Sequence, residues 1–259
     1  MVVEIIKMLV IGIFAGIVTG LTGASGVMVI VPLLNVLLNF SVHNSIGISL
    51  MVDVIASIAT AYTYYRHGNV DLKSGIWIAL GSITGAQLGV FFAVKTPEAG
   101  LGGAFGIFLI VMGSIIWKRG LNRERLAKKI NKVLKFKNEK ERILTALGLG
   151  FIIGIITGIF GAGGGLMILF VLIFVLNFPL HLAIGTSVII MAITASSGMI
   201  GYALHGNLKP LAGLILGISA ALSATGSAKF ANRIDEKILS KAVGLVFVSL
   251  GIIMIVVSY

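Results

Sequence analysis

The 259-residue chain contains no cysteine, which excludes disulfides, thiol chemistry and Cys-ligated metals. It is also poor in charge. Asp, Glu, Lys and Arg make up 11% of the residues, against about 25% in ordinary soluble domains, while 58% of residues are apolar and the mean hydropathy is +1.09. Such a composition excludes a soluble domain and implies a bilayer. Catalytic signals are missing as well: no nucleophile stands near a base and no His, Asp or Glu cluster has ligand spacing, so neither an enzyme nor a cofactor or metal is implied. The formal charge of +11 would suggest nucleic acid, but eleven of the twenty Lys and Arg lie between positions 118 and 142, in one polar connection. Nucleic acid is therefore not expected as a partner. The apolar run 5–21 continues directly into a glycine-rich stretch with no small-residue cleavage site, so no cleaved leader is expected.

What the chain does have is a glycine-rich break, twice: Gly20-Leu21-Thr22-Gly23-Ala24-Ser25-Gly26 and Gly158-Ile159-Phe160-Gly161-Ala162-Gly163-Gly164-Gly165. Gly23 and Gly161 are 138 positions apart, and the register continues without a gap through His43 and His181, Ser49 and Ser187, Tyr64 and Tyr202, and His67-Gly68-Asn69 and His205-Gly206-Asn207. Over positions 16–69 and 154–207, 21 of 54 residues are identical. A duplication accounts for this.

Apolar runs at 5–22, 44–65, 74–94 and 101–117 are long enough to cross a hydrocarbon core of about 30 Å at about 1.5 Å per residue. The run 27–40 is too short and, next to the break, reads as a short or re-entrant half-helix. The second unit repeats the order at 143–160, 166–178, 182–204, 211–230 and 238–257. Gly81, Gly85 and Gly89 at every fourth position put a bare stripe on one helix face, suited to close helix contact. The expected fold is thus all-α integral membrane protein, with repeat 1 at 1–120, a linker at 121–142 and repeat 2 at 143–259. Five segments per unit force the copies into inverted orientation. With the basic linker cytoplasmic, seventeen cations lie inside and three outside, a stronger positive-inside bias than four crossings give; both termini are then extracytoplasmic. In the linker Leu126, Ile130, Val133, Leu134 and Phe136 recur among Lys and Arg, which fits either a helix lying on anionic lipid or a solvated basic connection.

The motif Gly16-Ile17-Val18-Thr19-Gly20-Leu21-Thr22-Gly23-Ala24-Ser25-Gly26 and its copy Gly154-Ile155-Ile156-Thr157-Gly158-Ile159-Phe160-Gly161-Ala162-Gly163-Gly164, together with Ile46-Gly47-Ile48-Ser49, Ile184-Gly185-Thr186-Ser187 and Gly85-Ala86-Gln87-Leu88-Gly89, resemble the sulfite exporter TauE/SafE family, also called the toluene sulfonate uptake permease family. The resemblance covers nearly the whole chain. It implies a multi-pass secondary transporter of small sulfur-containing or organic anions, such as sulfite, sulfoacetate or sulfonates, in a bacterial or archaeal plasma membrane. The first copy departs from the second by carrying Ser25 and Val27 where the second has Gly163 and Gly165.

An anion at membrane depth needs donors, yet no Lys or Arg falls inside any predicted span. The backbone must supply them. A helix that begins at a glycine break points unpaired N–H groups and the positive end of its dipole into the gap, and glycine lets an anion approach closely. Candidate substrate contacts are Thr22, Gly23, Ala24, Ser25 and Gly26 in the first break and Gly161, Ala162, Gly163 and Gly164 in the second; inversion would make them converge, as in transporters with broken helices. Alternatively the glycines serve helix crossing alone. Gly161-Ala162-Gly163-Gly164-Gly165 is no P-loop, since Leu166 and Met167 follow it where Lys and Ser or Thr would be needed.

Asp53 is the one acid deep in a predicted span. Ser45, Ser49, Ser57, Thr60 and Tyr64 fall with it on one polar helical face. A carboxylate there is costly unless protonated or partnered, so Asp53 either couples anion movement to protons or is a protonated acid bonded to a neighbouring helix. A cation or neutral-solute carrier using Asp53 is the competing reading. Ser49, Ser57, Ser187, Asn35 and Gln87 complete the candidate pathway, with hydrogen bonding between helices as the alternative for Asn35 and Gln87.

Overall fold

Backbone amides and carbonyls that water cannot reach must be satisfied within a segment, which in a bilayer leaves helices as the open-chain solution. The computed structural model describes residues 2–22, 25–66, 68, 70–119, 136, 138–162, 164–231 and 236–258. Among these there are ten helices and no strand: α1 (Val2–Thr22), α2 (Val27–Leu38), α3 (Val42–Arg66), α4 (Leu72–Lys95), α5 (Glu98–Arg119), α6 (Glu139–Phe160), α7 (Gly165–Phe174), α8 (Leu180–Leu204), α9 (Pro210–Ala231) and α10 (Glu236–Ser258). The stretch 120–135, which holds most of the basic linker, lies outside the described residues.

Eight helices are long and apolar enough to cross a membrane; α2 and α7 are not. At 12 and 10 residues they reach only about 18 and 15 Å. The long helices extend past their apolar limits where the flanking residues suit a helix end. Thus α5 starts at Glu98 and α6 at Glu139, acids in a first turn that the helix dipole favours. The short pair stop alike. Asn39 (φ +51°) and Asn177 (φ +55°) take the left-handed conformation, and the amides of Phe40 and Phe178 reach back to the carbonyls of Leu34 and Leu172, satisfying carbonyls that the helix end leaves open. In the second copy this turn begins four residues before the apolar run ends, so α7 stops at Phe174.

Residue pairs fix the direction of each helix against its neighbours. Along α4 and α6, Gly81 meets Leu147, Gly85 meets Phe151 and Gly89 meets Ile155, so the two run parallel. Gly12 and Gly16 of α1 meet Leu216 and Ala220 of α9, again parallel, as are α9 and α3, where Gly213 faces Met51 and Gly217 faces Ile55. By contrast α5 and α10 are antiparallel, with Gly102 at Ser258, Gly106 at Gly251 and Gly113 at Gly244. So are α3 and α8, where Gly47 meets Tyr202 and Gly198 meets Leu50. Since α1 and α3 both run with α9, α2 between them is the return stroke, and Lys7 at the start of α1 donates to the Leu37 carbonyl at the end of α2 (3.2 Å).

The stripe at Gly81, Gly85 and Gly89 finds a second stripe, Gly150, Gly154 and Gly158 on α6. A Cβ on any of these six would strike backbone of the other helix. Two of the motif glycines, Gly154 and Gly158, thus serve close helix contact. Residues 27–32 and Leu34 of α2 are all buried, so this helix sits inside protein, as a helix apolar on every side must if it does not face lipid.

Candidate functional site

The breaks are built differently. In the second, α6 ends at Gly161, whose φ of +66° only glycine adopts without strain, and its amide closes the helix on the Thr157 carbonyl (2.7 Å). The fully buried Thr157 hydroxyl then donates to the Ala162 carbonyl (3.1 Å), which also receives the Gly164 amide (2.6 Å). Gly164, at φ +32°, caps α7. The Tyr202 hydroxyl, buried on α8, donates to the Gly158 carbonyl (3.0 Å) and so holds the last turn of α6 from outside. Sequence reasoning did not assign Tyr202 a role, although its repeat mate Tyr64 keeps the register.

In the first break a side chain does this work. The Ser25 hydroxyl lies 2.8 and 3.0 Å from the two carboxylate oxygens of Asp53 on α3 and donates to that carboxylate, while its oxygen accepts the Val27 amide from the first turn of α2 (3.3 Å). Gly26 follows with ordinary helical angles, and its carbonyl accepts the Val29 and Ile30 amides. Asp53, 3% exposed, thereby sits at the positive end of α2. The position one unit later, Met191, rests against Gly165 at the start of α7.

Both breaks meet α3. Gly161 packs against Ile46 and the Ser49 hydroxyl, and Ser25 holds Asp53 one turn further on, about 6 Å along the axis. Ser45, Ser49, Asp53 and Ser57, at successive steps of four, are all buried, whereas the last turns of the predicted face, at Thr60 and Tyr64, reach the surface or its margin. The Ser49 hydroxyl bonds its own helix at the Ile46 carbonyl (2.7 Å), and Ser187 matches it at the Ile184 carbonyl (2.9 Å).

Other predicted residues sit away from this meeting point. The Gln87 amide donates to the Ser197 carbonyl and hydroxyl (2.7 and 2.9 Å), tying α4 to α8. That of Asn35 donates to the Phe40 carbonyl (2.8 Å) and closes the end of α2. Gly23, Ala24, Gly163 and the Thr22 side chain lie outside the described residues. A contact the sequence did not reveal joins His43 to Glu98 (2.9 Å) and to the Ala93 carbonyl (3.0 Å), linking the first turn of α3 to α4 and α5.

Long apolar helices enclosing two interrupted ones, with polar groups gathered at the interruptions, define a multi-pass membrane protein. Residues 8–254 match the Sulfite exporter TauE/SafE family, and the chain belongs to that family. It is similar to the probable membrane transporter proteins YdhB and YunE of Bacillus subtilis. The first is 26% identical, over 93% of this chain and 96% of the relative; the second is 25% identical, over 94% of each. A probable membrane transporter protein of Methanocaldococcus jannaschii is 26% identical over 75% of this chain and 71% of its own length. No solved structure matches the chain. Relatives named as transporters point away from an enzyme.

Proposed function

We propose that the protein is a secondary transporter that moves small sulfur-containing or organic anions, such as sulfite, sulfoacetate or sulfonates, across the plasma membrane by alternating access between two inverted halves. The observation that carries this reading is the meeting of the two breaks on one face of α3, with Gly161 beside Ser49 and Ser25 bonded to Asp53. An anion placed there would be held by first-turn amides and helix-dipole ends with no basic side chain. The inversion is supported by helix directions, because the repeat mates α3 and α8, and α5 and α10, run antiparallel while α1 runs with α9 and α4 with α6. Both termini then share one face of the membrane and the basic linker takes the other, which the positive-inside rule makes cytoplasmic.

Asp53 sets the coupling in this reading. An ionised carboxylate at the first break repels a second anion and occupies the field of α2. Protonation removes the repulsion and frees that field, so anion and proton travel together and affinity rises as pH falls. Purified protein in liposomes, loaded with unlabelled sulfite or sulfoacetate and offered the labelled anion under imposed pH gradients, should show saturable counterflow that acid strengthens. Product formation without flux would instead mean an enzyme. A second reading, a cation carrier with Asp53 as its ligand, draws on the same carboxylate at the break; cation flux with no anion counterflow would select it. A C-terminal reporter active only outside the cytoplasm tests the topology, and a cytoplasmic C-terminus would reject it.

A further inference from the structure

We propose that the Ser45 hydroxyl is a hydrogen-bond donor to the transported anion, one helical turn from the place where the breaks meet. The proposal rests on the transporter reading above. Ser45 lies in the first turns of α3, is 0% exposed, and its hydroxyl has no partner among the described residues. Other buried helical hydroxyls here have a partner: Ser49 at the Ile46 carbonyl, Ser187 at Ile184, Thr157 at Ala162 and Ser197 at Ile83, while Ser82 and Thr194 bond each other. An unpaired hydroxyl in an apolar interior is a net cost to folding, and a ligand that takes up its proton would offset that cost.

Packing does not require the hydroxyl. The repeat mate of Ser45 is Ala183, equally buried at 0% exposure, so the register is filled in the second unit by a methyl group alone. Placement favours a ligand role. Ser45 stands four residues before Ser49, on the same face of α3, and Ser49 is the side chain against which Gly161 packs. Of the two polar side chains just before Ser45, Asn44 donates to the Ser41 hydroxyl and His43 is held by Glu98 and the Ala93 carbonyl. Among the donors of this stretch, Ser49 and His43 are committed and the Ser45 hydroxyl is open.

The test uses the full chain carrying Ser45→Ala, with sulfite and sulfoacetate as probes. Two quantities are read: the half-saturating concentration for flux in liposomes, and the concentration giving half-maximal thermal stabilisation in detergent. Because deleting an unpaired hydroxyl relieves a cost, the ligand-free unfolding temperature should equal or exceed that of the unaltered protein. Both half-saturating concentrations should rise about tenfold or more, the loss of one hydrogen bond to a charged group. Half-saturating concentrations that stay within about twofold overturn the proposal, whatever the unfolding temperature does. If the unaltered protein shows no saturable flux or stabilisation with either probe, the transporter reading falls and the proposal with it. Normal saturation of the unaltered protein with an unchanged Ser45→Ala variant removes Ser45 alone.

Discussion

The two helix breaks occupy matched positions in a duplicated sequence, yet they solve the same problem by different means. In the first, a hydroxyl from the loop ties the start of α2 to a carboxylate, so the protein's own negative charge takes the positive end of that helix. In the second no acid intrudes: glycines in left-handed conformations and a buried threonine shape the chain, and Met191 stands where Asp53 does in the other half. One duplicated motif has thus given a break that carries a titratable group and a break that offers backbone. In the proposed carrier the first break would sense protons, and both would face the anion.

The largest expected effect comes from denying the second break its backbone freedom. Gly161→Ala forces a Cβ at positive φ to within 2.9 Å of Ile46 and Ser49; left-handed strain of about 1–2 kcal/mol adds to overpacking of about 1–3 kcal/mol, and transport should vanish together with a marked fall in unfolding temperature. Gly148→Ala is the control, since nothing lies within 4 Å of its Cβ, and it should behave as the unaltered protein. If both variants transport normally, the second break is not a fixed backbone structure.

Next comes Asp53→Asn, which keeps an acceptor for Ser25 while removing the charge. Linkage of one proton to anion binding lets affinity change by up to about tenfold per pH unit. The variant should fold, bind the anion, and lose that dependence; a pH profile of counterflow that remains parallel to the original would show that coupling lies elsewhere. A smaller effect is expected from Thr157→Val, which leaves the Ala162 carbonyl without its hydroxyl donor, at a cost of about 1–2 kcal/mol read from thermal unfolding. Smallest in its effect on transport is Ser25→Gly, which gives the first break the residue of the second. It should lower stability by about 1.5–3 kcal/mol, the loss of a hydrogen bond to a carboxylate, and leave pH dependence in place, because Asp53 remains. Loss of pH dependence here would make Ser25 the coupling element.

Much of the architecture was legible before any coordinates. Span length and the glycine spacing at Gly81, Gly85 and Gly89 depend on local chemistry and periodicity, which sequence records directly. The division of labour among the glycines was not legible. Gly154, Gly158 and Gly161 sit within eight residues of one motif, yet the first two allow α6 to lie against α4 while the third turns the chain toward α3. Gln87 shows the same gap. Its polarity at depth was plain, but its partner, Ser197, is 110 positions away.

By itself, then, the sequence determined that this chain lives in a bilayer, that it is a duplicated helical protein, and that its family is that of sulfite exporter-like transporters, because composition, apolar run length and motif spacing are properties of the chain alone. Tertiary structure decided that Asp53 faces Ser25, that Gly161 comes to rest beside Ser49, and that Ser45 is buried with its hydroxyl unclaimed. Those facts depend on which helices pack together and in which direction, and contacts between segments far apart in sequence leave no periodic trace within either one.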